Sequence, residues 1–249
     1  MTAGVPIRHV GVVVPSRNED RLLPACLAAL RGAADHALAR HPQLRISTTI
    51  VLDSTTDSSF EVLAGFPWAA SLRTEAANVG VARNLGVRAL LGSATCSPAS
   101  VWVANTDADS EVPRNWLTGQ VELAAEGWDV VVGTVEPQSR DLSAAELRRW
   151  FAAHPLAEGH DHIHGANLGF RGSAFTRLHG FEPAPLHEDR TFVQAARTAG
   201  LRVLATDRGR VTTSGRRSSR VDGGFAAYLA AAASGPDGSG WATGRAEAG

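Results

Sequence analysis

Two hydrophobic patterns alternate along the first half of the chain, one of strand length and one of helix length. Residues 10–14 form a nearly continuous aliphatic run, typical of a parallel strand covered on both faces, and residues 22–30 then carry apolar positions at helical spacing. Further strands are predicted at 46–52, around 71–73, at 101–104 and at 130–132. Because helical patterns separate these runs, the sequence predicts an α/β fold with a mostly parallel sheet and helices on both faces.

The pattern changes after residue 135. Helices are predicted from Ser143 as the capping residue, near Phe175 and from His187 to about Ala199, with strands at 201–205 and 211–213 and a last helix at 225–233. We expect one domain over residues 1–233. The Gly, Ser and Ala content of residues 234–249 predicts a disordered tail.

The composition narrows the chemistry that the chain can perform. Every one of the 24 basic Lys or Arg residues is an arginine, so the chain has no lysine. This absence excludes Schiff-base catalysis and a Walker-type phosphate loop, which both require lysine. A formal net charge of -1 gives no indication of a nucleic-acid partner. A phosphate clamp in this protein must therefore use arginine, backbone amides or a metal ion.

The small number of cysteines and the lack of a long apolar segment indicate the cellular compartment of the protein. Cys26 and Cys96 are too few and too far apart for a disulfide framework, so we expect two free thiols in a reducing cytoplasm. The N-terminus lacks a basic region followed by a long apolar segment, and the most apolar later stretch, residues 224–233, is too short to span a bilayer. We therefore expect a cytoplasmic protein without membrane insertion; the sequence does not indicate its oligomeric state.

Two aspartates follow the strand predicted at residues 101–104. Asp107 and Asp109 stand at the carboxyl end of this strand, where open α/β sheets bind ligands. Two carboxylates this close repel each other, and a hard divalent cation such as Mn²⁺ or Mg²⁺, shared with phosphates, keeps both ionised. A nucleotide-diphosphate substrate would supply the phosphates. The alternative interpretation is an acidic turn before a helix that begins at Pro113.

Polar segments also end the earlier strands. Residues 15–19 read Pro-Ser-Arg-Asn-Glu, and residues 53–57 read Asp-Ser-Thr-Thr-Asp. Arg83 and Asn84 are predicted to lie near the first turn of a helix, where free backbone amides and the positive end of the dipole favour an anion. The edge of the sheet is thus predicted to be rich in groups that bind cations and anions.

In this order, the segments resemble motifs of the family 2 glycosyltransferases, whose nucleotide-binding fold is called GT-A. Residues 15–19 resemble the Pro-x-x-Asn-Glu loop of that family, residues 53–57 its Asp-x-Ser-Thr-Asp element and residues 107–109 its metal-binding Asp-x-Asp motif. Further matches are the nucleotide-sugar segment around Gly80, Ala82, Arg83 and Asn84, the acceptor-side segment 165–171, and the Glu188-Asp189 pair that carries the catalytic base. The resemblance covers roughly residues 8–206.

The resemblance implies an enzyme that moves a sugar from a UDP- or GDP-sugar to an unidentified acceptor hydroxyl, with inversion of the anomeric centre. Residues 1–110 would form the nucleotide-binding half and residues 111–233 the acceptor half. The donor-binding residues would be Pro15, Ser16, Asn18, Glu19, Asp53, Arg83, Asp107, Arg216 and Arg217. Asp109 and Asp107 would hold the divalent cation, and Asp189 or Glu188 would be the base. The acceptor side would comprise His164, Gly165, Ala166 and Asn167.

The chain departs from the family pattern at one position. Many relatives complete the metal site with a histidine on the strand after the Glu-Asp pair, but no histidine follows His187 in this sequence. Either Asp109, the diphosphate and water hold the metal, or Arg216, Arg217 and Arg220 help to neutralise the leaving group. A solvated basic loop is the alternative interpretation of these arginines.

Other interpretations stay open at this point. His160, His162 and His164 would share one face of a strand, as a metal site could require, but a polar acceptor loop is the preferred interpretation. A non-catalytic protein that binds nucleotide sugars remains an alternative. A phosphatase of the haloacid-dehalogenase type is disfavoured because its chemistry needs a lysine and an N-terminal motif. A nicotinamide enzyme is disfavoured because no Gly-x-Gly-x-x-Gly follows the first strand.

Overall fold

The computed structural model describes residues 4–184 and 186–216. Fifteen helices and strands organise these residues, in the chain order β1 (His9–Ser16), α1 (Leu23–Arg40), β2 (Arg45–Asp53), α2 (Ser59–Ala64), β3 (Ala69–Thr74), α3 (Val79–Ser93), β4 (Val101–Asn105), β5 (Ser110–Glu111), α4 (Trp116–Ala125), β6 (Val130–Pro137), α5 (Ala144–Ala153), β7 (Leu168–Arg171), α6 (Gly172–Arg177), α7 (Glu188–Thr198) and β8 (Val203–Thr213). The predicted helix at 225–233 and the predicted tail lie outside the described residues.

All eight strands of the described chain belong to one mixed sheet, in the order β3-β2-β1-β4-β7-β6-β8-β5. The first four strands in this order run parallel: β1 pairs with both β2 and β4, and β2 pairs with β3. This arrangement confirms the predicted α/β fold. Because neighbouring parallel strands end at the same edge, the loops that follow β1, β2 and β4 come together there.

The other half of the sheet is antiparallel. β7 pairs antiparallel with β4 and with β6, and β5 pairs antiparallel with β8. The prediction of two separate last strands, at 201–205 and 211–213, was wrong, because one strand, β8, runs from Val203 to Thr213. The polar residues 206–210 belong to this strand: Asp207 accepts a hydrogen bond from Thr134 of β6, and Arg210 donates to Glu136 at 3.1 Å.

Two apolar cores cover the two faces of the sheet. Alternate residues of β1 point to opposite faces: Val12 and Val14 belong to the core that contains Leu27 of α1, whereas Val13 belongs to the core that contains Val87 of α3. All four of these valine side chains are almost completely buried. The near-continuous aliphatic run therefore reflects burial on both faces, as predicted.

The described residues form two compact units. The first comprises residues 4–136 and 156–213, apart from residue 185, and contains the strands and all helices except α5. The second comprises residues 137–155 and 214–216. In this second unit Ser143 caps α5 as predicted: its hydroxyl accepts from the Glu146 amide, and the Glu146 carboxylate accepts from the Ser143 amide at 2.8 Å.

The helix α4 begins at Trp116 rather than at the predicted Pro113. In the described residues, no helix combines the length and the apolar character that crossing a bilayer requires.

The buried His9 generates a prediction about stability and pH. Burial, together with the nearby charge of Arg45, lowers the pKa of His9 to about 4. The unfolded chain, in which the histidine pKa is about 6.5, takes up the proton first. The contribution of neutral His9 to the free energy of unfolding is therefore complete above about pH 6.5 and is lost as the pH falls towards 4. Its Nε2 lies 2.8 Å from the Ser47 hydroxyl, which an amide side chain can also reach.

We expect the free energy of unfolding of the wild type to fall by about 2.5 kcal/mol more than that of His9→Gln between pH 7.5 and pH 4.5. Urea unfolding of both proteins at the two pH values measures this difference. An equal loss in the two proteins would show that His9 is not the group responsible.

Candidate active site

The loops at the carboxyl ends of β1 and β2 are tied together by short polar side chains. Asn18 adopts the left-handed conformation, with φ of 55°, and its side-chain oxygen accepts hydrogen bonds from the amides of Thr56 at 2.7 Å and Asp57 at 3.3 Å. Asp57 in turn accepts from the Asp20 amide at 2.9 Å. Burial acts to raise the pKa of Asp57, but hydrogen bonds from Asp20 and Ser59 outweigh it, and the pKa lies below its usual value.

Asp53 at the end of β2 fixes the start of α3. Its carboxylate accepts hydrogen bonds from the amides of Ala77 at 2.8 Å and Asn78 at 2.7 Å. The Asn78 side chain then accepts from the Val81 amide at 3.0 Å and caps the helix. Asp53 is thus buried and engaged with the backbone, so its predicted contact with a nucleotide remains a prediction.

The remaining predicted donor residues of the first loop lie at this same edge. Pro15 and Ser16 are the last two residues of β1. Glu19 is buried, and its amide donates to the Ser59 hydroxyl at 3.1 Å. These contacts hold the loop after β1 against the loop after β2.

Arg83 does not lie where the sequence predicted. Because α3 begins at Val79, Arg83 lies in the second turn of the helix rather than beside the free backbone amides of the first turn. Arg83 is only 2% exposed. The guanidinium donates from Nη2 to Asp107 Oδ1 at 2.8 Å and from Nη1 to Glu188 Oε1. One buried cation therefore connects the aspartate after β4 with the first residue of α7.

Asn84, the neighbour of Arg83, also points away from the predicted anion site. Its side-chain oxygen accepts from the Phe181 amide at 2.9 Å, and its nitrogen donates to the Phe181 carbonyl at 2.8 Å. Asn84 thereby holds the turn before α7. Both residues were predicted near the first turn of the helix, but the Asn78 cap starts α3 at Val79, so Arg83 and Asn84 follow the first turn. The predicted contact of Arg83 with the donor stays a prediction.

Asp189 lies beside Gly165, as the two motifs were expected to do. Its Oδ2 accepts from the Gly165 amide at 2.7 Å, and its Oδ1 accepts from the Arg190 amide at 2.7 Å. Unlike the buried Glu188, Asp189 is partly exposed. Of the two acids, Asp189 is therefore the one that a ligand can reach.

Asp109 is held by hydroxyl groups at the end of β8. Its Oδ1 accepts from Thr213 Oγ1 at 3.3 Å, and Thr213 in turn accepts from Ser110 Oγ at 2.8 Å. The antiparallel pairing of Ser110 with Thr213 positions these groups. Thr213 thus occupies the strand on which the resemblance leads us to expect a histidine ligand.

Several acids share this small region. Partial desolvation by the surrounding protein raises the pKa of Asp107; Arg83 opposes the rise, and the charges of Asp189 and Glu19 add to it. Beneath them, burial and the same acidic surroundings raise the pKa of Cys26 far above its usual range, so its thiol stays protonated. The Cys26 thiol donates to the Asp107 carbonyl at 3.5 Å.

An oxygen-liganded divalent cation fits this set of groups. Asp107, which keeps 38% of its side chain exposed, and Asp109 offer carboxylate oxygens, and the groups around Asp109 are hydroxyls rather than thiols or imidazoles. Within residues 4–184 and 186–216, no three His, Cys, Asp or Glu side chains form a metal-binding group. Among the described residues, Asp107 and Asp109 could therefore supply only two of the oxygen ligands of such a cation.

Asn167, predicted on the acceptor side, is buried. This residue is 3% exposed, and its side chain accepts from Trp116 Nε1 at 2.8 Å while donating to the carbonyls of Thr134 at 2.8 Å and Gly209 at 3.0 Å. Ala166 is likewise part of the apolar core. Both side chains thus have a structural role, and their predicted contact with an acceptor stays a prediction.

The three alternating histidines lie in a segment without helix or strand, as the loop interpretation predicted. The ring centroids of His160 and His162 are 5.8 Å apart, and those of His162 and His164 are 6.2 Å apart, in near-parallel stacks. They form a column rather than a metal site. The role of His164 towards an acceptor remains a prediction.

The basic segment after β8 is only partly described. Arg216 belongs to the second compact unit, whereas Arg217 and Arg220 lie outside the described residues. Their predicted donor contacts stay predictions. Thr213 was not among the predicted residues, because its contact with Asp109 depends on the antiparallel pairing of β8 with β5.

A comparison with protein-family models identifies a match over most of the chain. The model described as "Glycosyl transferase family 2" matches residues 11–179. This range includes the loops after β1, β2 and β4 and the segment that contains Gly165.

Curated relatives share part of this region. Undecaprenyl-phosphate 4-deoxy-4-formamido-L-arabinose transferase from Pseudomonas savastanoi pv. phaseolicola is 31% identical over 147 residues, and the protein of the same name from Pseudomonas paraeruginosa is 34% identical over 147 residues. Each alignment covers 58% of this chain and 40% of the relative. The chain therefore matches well under half the length of these proteins.

Solved structures of low sequence identity share the fold. The mannosyltransferase PcManGT from Pyrobaculum calidifontis, in complex with GDP-Man and Mn²⁺, superposes with a TM-score of 0.59 at 21% identity, covering 86% of this chain and 60% of that one. Glucosyl-3-phosphoglycerate synthase from Mycobacterium tuberculosis, in complex with Mn²⁺, UDP-Glc and phosphoglyceric acid, superposes with a TM-score of 0.54 at 17% identity, covering 84% and 73%. These likenesses assign the GT-A fold.

The buried position of Asn167 generates a prediction about stability. Asn167→Ala leaves the Trp116 Nε1–H and two carbonyls without partners, so we expect the free energy of unfolding to fall by about 2 to 4 kcal/mol. Asn115→Ala, at an exposed position whose side chain makes no capping hydrogen bond, is the matched control and should change it by less than about 0.5 kcal/mol. A fully stable Asn167→Ala protein that binds acceptor poorly would instead support the acceptor role. Urea unfolding distinguishes the two outcomes.

Proposed function

Since the chain belongs to glycosyl transferase family 2, we propose that it transfers a sugar from a nucleotide-diphosphate donor to an acceptor, with inversion and with the help of a divalent cation. UDP- and GDP-sugars are the proposed donors, because fold neighbours were crystallised with GDP-Man or UDP-Glc and with Mn²⁺. Direct attack by the acceptor inverts the anomeric centre and requires a single base.

The observation that carries this proposal is the arrangement around Arg83. Its contacts with Asp107 and Glu188 join the strand-end acids to the start of α7, where Asp189 lies beside Gly165. A donor bound over the strand ends would thus have its sugar close to a reachable carboxylate. Such closeness of leaving group and base is what group transfer by direct displacement requires.

Asp109 and Asp107 are the proposed ligands of the cation. When bound, a divalent cation supplies electrostatic stabilisation for the charge that develops on the departing diphosphate. The hydroxyl of Thr213 fixes the orientation of Asp109 through its hydrogen bond to Oδ1. Arg83 holds Asp107 in the same way from the opposite element.

Asp189 is the proposed base, in preference to Glu188. Glu188 is committed to a buried ion pair with Arg83, whereas Asp189 is partly exposed and is held in place by two backbone amides. A base must reach the proton that it removes, and a buried, ion-paired carboxylate cannot do so. The two acids at the start of α7 also stabilise the helix, because their negative charge lies at the positive end of the helix dipole. This stabilising role is compatible with the proposed role of Asp189 as the base.

The acceptor is either an alcohol or a phosphate. The resemblance implies a hydroxyl, but the names of the curated relatives include undecaprenyl phosphate. The two acceptors differ in their need for a base, because an alcohol must lose a proton as it attacks, whereas a phosphate with a second pKa of about 6 is largely deprotonated at neutral pH. The effect of Asp189 on turnover therefore distinguishes an alcohol acceptor from a phosphate acceptor.

Two alternatives from the sequence analysis lead to different expectations. The family assignment overturns the phosphatase alternative, and Asp107, which would be the nucleophile of such an enzyme, is ion-paired with Arg83. A non-catalytic protein that binds nucleotide sugars would bind the donor equally well but would show no turnover that depends on Asp189.

Nucleotide-dependent thermal stability provides the first test. At a hundred times the Kd, a UDP-, GDP- or dTDP-sugar with Mn²⁺ should add about 2.7 kcal/mol of stability and raise the midpoint by several degrees. Asp109→Asn should abolish the Mn²⁺-dependent part of the rise, because it removes a ligand charge. No rise with any donor would contradict the proposal.

Turnover by the Asp189→Asn protein provides the second test. We expect at least a hundredfold loss of kcat with an alcohol acceptor, since general base catalysis typically contributes about 10² to 10⁴. With a phosphate acceptor the loss should be much smaller. Donor consumption with each acceptor class is measured by nucleotide release, and equal, undiminished turnover with both would show that Asp189 is not the base.

The Thr213 hydroxyl provides the third test. Thr213→Val keeps the shape of the side chain but removes the hydrogen bond to Asp109, so we expect Mn²⁺ affinity in the presence of nucleotide to fall about tenfold. Thr213→Ser keeps the hydroxyl and should bind nearly as the wild type does. Calorimetric titration measures both affinities, and an unchanged affinity of Thr213→Val would exclude this role.

A further inference from the structure

Arg83 lies between two carboxylates that differ sharply in exposure. The Arg83 side chain is 3% exposed and that of Glu188 is 6% exposed, whereas Asp107 keeps 38% of its side chain exposed. Arg83 therefore has one partner sealed inside the protein and one at the site surface. A buried charge is stable only when it is paired, so the sealed Glu188 keeps the cation in place even where solvent weakens its bond to Asp107.

The backbone next to this ion pair prevents Arg83 from moving towards Gly165. A Cβ atom placed on Gly165 would overlap Arg83 Nη2, so the guanidinium packs directly on that glycine. The planar guanidinium offers two nitrogens at a fixed separation, and here each nitrogen serves a different acid. The position of Glu188 thus determines the position of the nitrogen that holds Asp107.

We propose that Glu188 and Arg83 are positioning residues for the donor: Glu188 orients Arg83, and Arg83 orients Asp107 towards the cation and nucleotide. The inference rests on the proposed function and deepens it, because it assigns Glu188 to donor binding rather than to proton transfer. Two adjacent residues then serve different halves of the reaction. Glu188 supports the donor side, and Asp189, held by the Gly165 amide, faces the acceptor side.

Binding of Mn²⁺ with GDP or UDP, without any acceptor, tests this assignment. Glu188→Gln keeps the shape of the side chain but weakens its hold on Arg83, and it should weaken binding of the Mn²⁺–nucleotide about tenfold. Asp189→Asn removes the same charge one residue away and should weaken this binding less than Glu188→Gln does, while turnover with an alcohol acceptor falls at least a hundredfold. Asp35→Asn, in an exposed ion pair with Arg31, is the control for loss of a surface carboxylate.

A second pair of variants tests whether Glu188 acts through Arg83. Arg83→Lys keeps the charge but loses the two-nitrogen fork, so it should weaken nucleotide binding to a similar extent. The double variant Glu188→Gln/Arg83→Lys should have a Kd no higher than that of the more severely affected single variant. The two losses of binding free energy should not add, because the residues belong to one network. All titrations are made well below the melting temperature of each variant, so that unfolding does not mimic a loss of affinity.

The outcomes separate the two levels of the proposal. If the wild type binds no Mn²⁺–nucleotide, the proposed function fails and the positioning role fails with it. If the wild type binds but Glu188→Gln binds equally well, or if Asp189→Asn weakens binding as much as Glu188→Gln does, only the positioning role is overturned. Additive losses in the double variant would likewise overturn it.

Discussion

Repulsion among like charges is the constraint on which this site depends. Asp107, Asp109 and Glu111 crowd the region above Cys26 together with Glu19, and Asp189 is close enough to act on Asp107. The fold balances this negative charge with one buried arginine and with backbone amides directed at the carboxylates. The proposed divalent cation would add positive charge to the same cluster of acids.

The parallel half of the sheet explains why these acids meet. β1, β4 and the carboxyl-terminal half of β2 are buried on both faces, polar residues follow at their carboxyl ends, and the three strands are direct neighbours. Asp53 and Asn78 then set the first residue of α3, which decides that Arg83 points inwards at the acids. The position of one helix cap thus determines which side chain becomes the buried cation.

The sequence predicted the strand-end acids well because their signal is local. An aliphatic run followed by aspartates needs no knowledge of distant contacts, and the same holds for the capping box at Ser143. Arg83 was assigned to the first turn of α3, whereas it lies in the second, because the apolar spacing does not reveal which residue caps the helix. The contacts of Asn167 with Trp116 and of Thr213 with Asp109 were not predicted, because these partners are 51 and 104 residues apart in the chain. Contacts across the antiparallel half depend on register, which a single sequence does not reveal.

The two cysteines have different surroundings, and this difference has a practical consequence. Cys26 is buried beneath the acids, whereas Cys96 is partly exposed in the loop before β4, at the opposite end of that strand from Asp107. A maleimide dye would therefore react with the native protein at a single cysteine, at the opposite end of β4 from the strand-end acids. Because the chain also lacks lysine, few other nucleophiles compete for such a reagent. The molecule thus carries a natural attachment point for fluorescence or surface immobilisation.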